Sequence, residues 1–417
     1  MLGPVLGPVL GPVLLALGSV ACGGPDGAGL PGGSGDATGT GEAAGGTFAH
    51  LQLVESDRVH HNGADGRFFF PEIAGAGGAL LDYDGDGDLD LYMVQGGSVE
   101  AAYGGLENPL GADRLYRTDV AGIDGRRRVD FVDVTDAADL TAHGYGMGVA
   151  VGDIDDDGDP DLYVTNAGAN QLWRNDGDGT FTEIGGPAGV AGDRWSTSAS
   201  FFDFDRDGRL DLYVANYVDF RLESHRDCRS TSGALDYCGP LSYNPEPDRL
   251  YRNRGDGLFE DVSDAAGIGG TPGNGLGVTA ADFDGDGWTD VFVANDQMVN
   301  FLWMNRGDGT FAEEAALAGC AVNMEGNEEA SMGVVAADFD EDGALDLFMT
   351  HLDGETNTLY LGDGTGLFRD RTASLGLAAP SLPSTGFGTA AIDLDLDGWQ
   401  DIYVANGAVY TIESQRR

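Results

Sequence analysis

Basic side chains are scarce in this chain: 22 Lys and Arg stand against 70 Asp and Glu, a net charge of −48 over 417 residues. Such an excess repels polyanions, which argues against nucleic acid and anionic membrane surfaces as partners. Histidine is scarce too, and His60, His61, His143, His225 and His351 show no His-x-x-x-His metal spacing. No nucleophile elbow, phosphate-binding glycine loop or CxxC pair occurs, so the usual sequence routes to hydrolytic, nucleotide-binding and thiol-redox chemistry are missing. Cysteine is limited to Cys22, Cys228, Cys238 and Cys320. What is abundant is glycine, 69 residues, with aromatics at 9%. That balance suits many short strands joined by tight turns.

The acids are concentrated in a nine-residue loop that recurs six times. In Asp282-Phe283-Asp284-Gly285-Asp286-Gly287-Trp288-Thr289-Asp290, carboxylates occupy positions 1, 3, 5 and 9 and glycine position 6. The other copies place Asp82, Asp84, Asp86 and Asp90; Asp153, Asp155, Asp157 and Asp161; Asp203, Asp205, Asp207 and Asp211; Asp338, Asp340, Asp342 and Asp346; and Asp393, Asp395, Asp397 and Asp401 at those positions. Alternating carboxylates in a tight loop converge on one point, and Ca²⁺ takes six to eight oxygens at about 2.3–2.6 Å. Position 7 offers a backbone carbonyl, so its side chain is unrestricted: Asp88, Asp159, Arg209, Trp288, Ala344 and Trp399. About six Ca²⁺ are expected, and they would still leave the net charge near −36. Position 2 is always apolar or aromatic: Tyr83, Ile154, Phe204, Phe283, Phe339 and Leu394. An EF-hand is excluded, because strand-like runs such as Val291-Phe292-Val293-Ala294 follow the loop in place of a helix and a position-12 Glu.

Each loop belongs to a larger repeat of four strand-like pieces. Runs such as Gly146-Met147-Gly148-Val149 precede the loop and Leu162-Tyr163-Val164 follows it. Then come runs such as Asp248-Arg249-Leu250-Tyr251-Arg252 and Gly257-Leu258-Phe259-Glu260. Four antiparallel strands repeated at about 50 residues predict an all-β fold, a β-propeller with one sheet per blade. Insertions are expected around residues 96–113, 119–128 and 219–247, decorating one rim. The segment Gly46-Thr47-Phe48-Ala49-His50-Leu51 matches a fourth strand without its own blade, whereas the last unit, residues 384–413, has no fourth strand. Pairing the two closes a six-bladed ring; part of a seven-bladed propeller is the alternative.

Residues 1–22 read as an export signal, with small residues before Cys22 resembling a lipoprotein processing site, so Cys22 is a lipidation candidate. Residues 23–46 read as a flexible tether and residues 47–417 as the propeller. Export favours a Cys228–Cys238 disulfide over two free thiols, and Cys320 reads as a small buried hydrophobe. Arg254-Gly255-Asp256 and Arg306-Gly307-Asp308 spell a known adhesion tripeptide but stand where Asp176-Gly177-Asp178 makes a hairpin turn. Asp296, Glu355 and Asn327 are loop residues outside the acidic repeats that could line a rim pocket.

With these motifs in place, residues 47–410 resemble integrin-α-type FG-GAP/VCBS repeats and are similar to the propeller of the cartilage acidic protein (ASPIC/UnbV) family. Trp195-Ser196-Thr197-Ser198, Tyr237-Cys238-Gly239-Pro240, Val293-Ala294-Asn295-Asp296 and Ala405-Asn406-Gly407 carry that likeness. The C-terminal ASPIC/UnbV domain of longer relatives is not matched in this sequence. The resemblance implies a secreted or surface calcium-binding propeller and brings no catalytic site. The expected function is a monomeric, extracytoplasmic, non-enzymatic module for an extracellular protein or glycan, meeting the membrane only through an N-terminal lipid anchor. The alternatives are a polysaccharide-active enzyme on the same scaffold and an accessory role in secondary-metabolite biosynthesis.

Overall fold

The computed structural model describes residues 60–104, 112–123, 126–230, 232–255, 257–395 and 397–409. The export segment, the tether, Cys22 and the strand expected at residues 46–51 lie outside the described residues.

Five four-stranded antiparallel sheets follow one another in chain order. The first contains Gly78–Leu81, Asp90–Met93, Arg114–Ile123 and Arg126–Asp133, and the second Gly146–Gly152, Asp161–Asn166, Gln171–Asn175 and Phe181–Glu183. The third contains Ser196–Phe202, Asp211–Asn216, Arg249–Asn253 and Phe259–Asp261. The fourth contains Gly275–Ala281, Asp290–Asn295, Phe301–Asn305 and Phe311–Glu313, and the fifth Val334–Ala337, Asp346–Met349, Thr358–Gly362 and Phe368–Asp370. A sixth unit contributes Thr385–Ile392 and Asp401–Gly407. The second strands at Asp161–Asn166, Asp211–Asn216 and Asp290–Asn295 are buried at every residue, as their unbroken apolar runs require.

The core lies between sheets. One cluster joins Tyr163 and Leu172 of the second sheet to Phe201, Leu212 and Phe259 of the third. The next joins Phe202 and Tyr213 to Val293 and Trp303 of the fourth, and another joins Phe292 and Leu302 to Leu347 and Tyr360 of the fifth. First strands of neighbouring sheets touch directly, and glycine makes this possible. A Cβ at Gly148 would lie 2.6 Å from the Thr197 carbonyl oxygen. A Cβ at Gly277 would lie 2.3 Å from that of Met332, and one at Gly333 2.3 Å from that of Phe387. Thr165, Thr197 and Thr350 then donate from Oγ1 to the carbonyls of Thr197, Gly275 and Phe387 in the adjoining sheet, at 3.1, 2.7 and 3.0 Å. Sheets that lean on one another face to face in chain order give a propeller-like all-β architecture.

One expectation about insertions changes. Residues 119–128 belong to a prolonged hairpin rather than a separate insertion, with Ile123 opposite Arg126 and Asp119 opposite Asp130. Continued pairing satisfies the backbone groups that a loop would leave to water. Residues 219–247 fold back over the sheets: Cys228 and Cys238 form a disulfide, and Phe220 and Tyr243 pack with Phe70, Trp195 and Tyr217. This cluster sits where first strands begin and second strands end, opposite the acidic loops.

Candidate functional site: acidic loops and a central cavity

The six loops share one hydrogen-bond plan. The position-1 carboxylate accepts amides from the far side of the turn: Asp153 from Asp157 and Gly158 at 3.2 and 2.9 Å, and Asp203 from Asp207 and Gly208 at 3.1 and 2.9 Å. Asp82, Asp338 and Asp393 do the same, while Asp282 accepts from Gly285 and Gly287. The position-5 carboxylates Asp86, Asp157, Asp207, Asp286, Asp342 and Asp397 each accept the amide of position 7 at 2.7–3.0 Å. The position-9 carboxylate faces inward. Asp161, Asp211 and Asp290 accept the position-2 amide on one oxygen, at 2.8, 3.0 and 3.0 Å, and the amide of Asn175, Asn253 or Asn305 on the other at 2.8 Å.

This plan aims oxygens at one point. Ligand atoms of Asp153, Asp155 and Asp161 lie within 4.8 Å of one another, as do those of Asp203, Asp205 and Asp211, of Asp282, Asp284 and Asp290, and of Asp338, Asp340 and Asp346. In the first loop the grouped residues are Asp82, Asp84 and Asp86. Positions 1, 3 and 9 therefore converge most tightly in four loops, with position 5 beside them and engaged by the turn. Burial drives the carboxyls of Asp161, Asp211 and Asp290 up to about 7, and that of Asp346 to about 6, against the amides that pull them down; neighbouring loop carboxylates add to the rise. Asp155, Asp205 and Asp284 are raised for the same reasons. A set of hard oxygen donors that repel one another fits a divalent cation of the Ca²⁺ type.

Three features of the loops escaped sequence reading. Position 4 is left-handed along with position 6: Gly85, Asp156, Arg206, Gly285 and Glu341 have φ between 58° and 74°. The position-7 side chain is not unrestricted, because it covers the hairpin turn of its own sheet. A Cβ at Gly307 would lie 2.7 Å from the Trp288 ring and one at Gly255 3.0 Å from Arg209. Finally, Asn175, Asn253 and Asn305 reach into the preceding unit and donate to the position-2 carbonyls of Tyr83, Ile154 and Phe204 at 2.9, 2.7 and 2.9 Å. Their recurrence just before the Gly-Asp-Gly turn was the available clue.

A second feature lies where the first strands begin. A cavity of about 110 Å³ receives Met147, Thr197, Leu276, Met332 and Phe387 from five successive units and Ala74 from the start of the first. Trp195, Tyr217 and the disulfide-held Cys238 close its side. Asp296 lines it, while Asn327 and Glu355 line a separate acidic hollow with Glu325, Glu328, Glu329 and Asp370. Arg306-Gly307-Asp308 forms a plain hairpin turn, with Asp308 accepting from Thr310; Asp256 is outside the described residues. Cys320 is buried and its thiol pKa raised by burial. Among the described residues no helix is long and apolar enough to cross a membrane.

Fold and site together define a repeat protein of antiparallel sheets, each carrying one acidic loop. Residues 153–214, 233–293, 282–349 and 338–404 match the FG-GAP-like repeat, and the chain belongs to that family. It is 28% identical over 364 residues to human cartilage acidic protein 1 and 27% identical to the mouse protein, covering 82% of this chain in each case. The chain spans about half the length of these relatives, 48% and 49%. Among solved structures, the Vibrio cholerae biofilm matrix protein Bap1 is matched at 13% identity over 71% of this chain and 38% of that one, with a TM-score of 0.36, too loose to bear on function.

Proposed function

We propose that this chain is an exported, calcium-loaded propeller of six blades that serves as a non-enzymatic binding module for an extracellular protein or glycan. The observation that carries the reading is the convergence of three carboxylates in loop after loop, on a donor set made of oxygen alone. Positions 1, 3, 5 and 9 would hold each ion with the position-7 carbonyl, and the ions would pin first to second strands. The relatives' name, cartilage acidic protein, accords with an acidic extracellular role. The Cys228–Cys238 disulfide favours an oxidising compartment, and hence export by residues 1–22 with or without lipidation at Cys22. Ring closure by residues 46–54 is part of this reading. Sheet edges at the last unit support it: Tyr403 is 49% exposed, whereas Tyr92, Tyr163 and Tyr213 in the same place are fully buried.

Elemental analysis of dialysed protein tests the metal: about six calcium ions per chain are expected, and fewer than about four would refute the assignment. Chelation should lower the melting temperature, because each emptied loop retains four carboxylates without a counter-charge. A glycan and surface-protein binding screen with and without Ca²⁺, run beside a reducing-end release assay, tests the module. Binding without turnover is the expected result; turnover lost on changing one residue outside the loops would replace the reading with an enzymatic one.

A further inference from the structure

The central cavity is apolar on nearly every side, yet one of its walls carries a carboxylate. Asp296 follows the second strand of the fourth sheet and is 8% exposed. One carboxylate oxygen accepts from the Tyr217 hydroxyl. The other, Oδ1, is buried without a hydrogen-bond donor among the described residues. The backbone around it is fixed: its amide donates to the Asn274 carbonyl at 2.9 Å, and its own carbonyl accepts from Asn274 Nδ2 at 2.9 Å. A buried acceptor left open costs about 1–3 kcal/mol, more when it is charged, so it persists only where something offsets that cost. A fold needing only the Tyr217 bond could have used an amide, whose oxygen accepts a hydroxyl as well.

The surroundings indicate what the open oxygen would meet. Among the described residues no Arg or Lys lines the cavity, and the further charge acting on Asp296 is the Glu355 carboxylate. Burial raises the Asp296 carboxyl to about 6, with Tyr217 pulling it down and Glu355 pushing it up. The rings of Trp195, Tyr217 and Phe70 stand together, Trp195 to Tyr217 at 5.0 Å between centroids and Phe70 to Trp195 at 5.2 Å. A negative carboxylate beside aromatic faces favours a cation, and aromatic faces hold ammonium groups best when water is excluded. At about 110 Å³ the cavity is smaller than the roughly 150 Å³ that takes benzene, so it suits a compact aliphatic body.

We propose that the central cavity is a binding site for a small organic ammonium compound, its charged nitrogen on Asp296 Oδ1 and its compact apolar body against Trp195, Met147, Leu276 and Met332. The site stands apart from the acidic loops, at the opposite ends of the strands, and does not depend on how many metals those loops hold.

The test uses the full chain in calcium buffer at pH 7.5, titrated with isobutylamine, protonated at that pH, and with its neutral counterpart isobutanol. Calorimetry should show saturable one-to-one binding of the amine, at least about tenfold tighter than the alcohol. Asp296→Asn should weaken the amine about tenfold and leave the alcohol unchanged. Leu276→Trp, which fills the cavity from a partly exposed strand position, should abolish both at unchanged metal content. Equal affinity for amine and alcohol, amine binding that survives both substitutions, or no saturation below about 10 mM would each overturn the proposal. If Asp296→Asn does not fold, the amine–alcohol comparison and the Leu276→Trp protein decide alone.

Discussion

At the scale of single residues, the acidic loops divide their carboxylates between two tasks. Position 5 shapes the turn at the surface, whereas position 9, buried in the first five loops, ties the loop to its own third strand there. Removing Asp290 would orphan the Phe283 and Asn305 amides, which lose 3.0 and 2.8 Å hydrogen bonds, and take away one convergent oxygen. Asp290→Ala should therefore cost about 2–4 kcal/mol in calcium-saturated urea melts, with Asp286→Ala costing less; equal losses would show that the two positions are equivalent. A different buried acid predicts a pH effect. Asp248 accepts from Tyr213 and the Asn216 amide at 2.8 Å each, and burial lifts its carboxyl to about 7. Its folded pKa lies above its unfolded value, so the native state holds the extra proton between about pH 4 and 7 and this group's contribution falls as pH rises across that window. Asp248→Asn should flatten that part of the stability profile and gain on the wild type toward pH 8. Asn170 and Asn300 already accept the corresponding amides in other units, so the fold tolerates the amide. An unchanged pH profile would show that Asp248 stays ionised throughout.

At the scale of elements, each loop is coupled to the hairpin of the next unit. The position-2 ring meets the fourth-strand Phe of the following sheet: Tyr83 with Phe181 at 6.3 Å, Phe204 with Phe311 at 6.1 Å and Phe283 with Phe368 at 5.8 Å. The third-strand Asn adds a hydrogen bond across the same seam. The Asn253 side chain also donates to the Leu210 carbonyl of its own loop at 3.1 Å, so Asn253→Ala should weaken metal binding in two loops, its own at Asp203–Asp211 and the preceding one at Asp153–Asp161. Hydrogen exchange at low calcium would show protection lost in both; loss in one loop alone would reject the coupling. Gly333→Ala tests the approach of first strands, since its Cβ would meet the Phe387 carbonyl at 2.3 Å. A loss of about 1–3 kcal/mol is expected, against little change for Gly186→Ala, which has open space. Much of this was legible in sequence. The strands at Leu162–Val164 and Val291–Ala294 announced themselves by short apolar runs after every loop, and the loops by fixed spacing. The seam was not legible, because Asn253 and Ile154 are 99 residues apart and their bond is visible only once the units are placed side by side. The strand start at Asp113–Arg117 was legible, but its prolongation into the hairpin of Arg114–Ile123 with Arg126–Asp133 was missed because the sequence there carries no clear alternation that separates a ribbon from a loop. Asp296 was singled out as a pocket residue, but its place in a central cavity depends on six units converging.

At the scale of the whole molecule, the same seam rule marks where sheet-to-sheet packing is incomplete among the described residues. Wherever a following hairpin is present, the position-2 side chain and its Phe partner are both buried: Tyr83, Ile154, Phe204 and Phe283, and Phe181, Phe259, Phe311 and Phe368, are each at most 8% exposed. Phe339 of the fifth loop is only partly buried, and Leu394 of the sixth and Phe131, the fourth-strand Phe of the first sheet, are 41% and 37% exposed. A fourth-strand Phe is thus wanted for Phe339, and the exposure of Leu394 accords with the proposed closure of the sixth unit onto the first. Phe48, within Gly46-Thr47-Phe48-Ala49, has the sequence setting of Phe181 in Gly179-Thr180-Phe181-Thr182, which makes it the residue to test in that place under the proposed closure. If residues 46–54 complete the last blade, they also cover an otherwise open sheet edge, which is a route to aggregation. Deleting them should yield protein that self-associates on size exclusion and unfolds without a single sharp transition. Phe48→Ala, Phe339→Ala and their combination then locate the contact. Two rings that touch should show a coupling of about 0.5–1.5 kcal/mol in a double-mutant cycle, while Phe48→Ala paired with Phe283→Ala should be additive. Additivity between Phe48 and Phe339, together with a deletion protein that stays monomeric at unchanged melting temperature, would show that the amino-terminal segment does not close the ring and that the last unit is completed by something else.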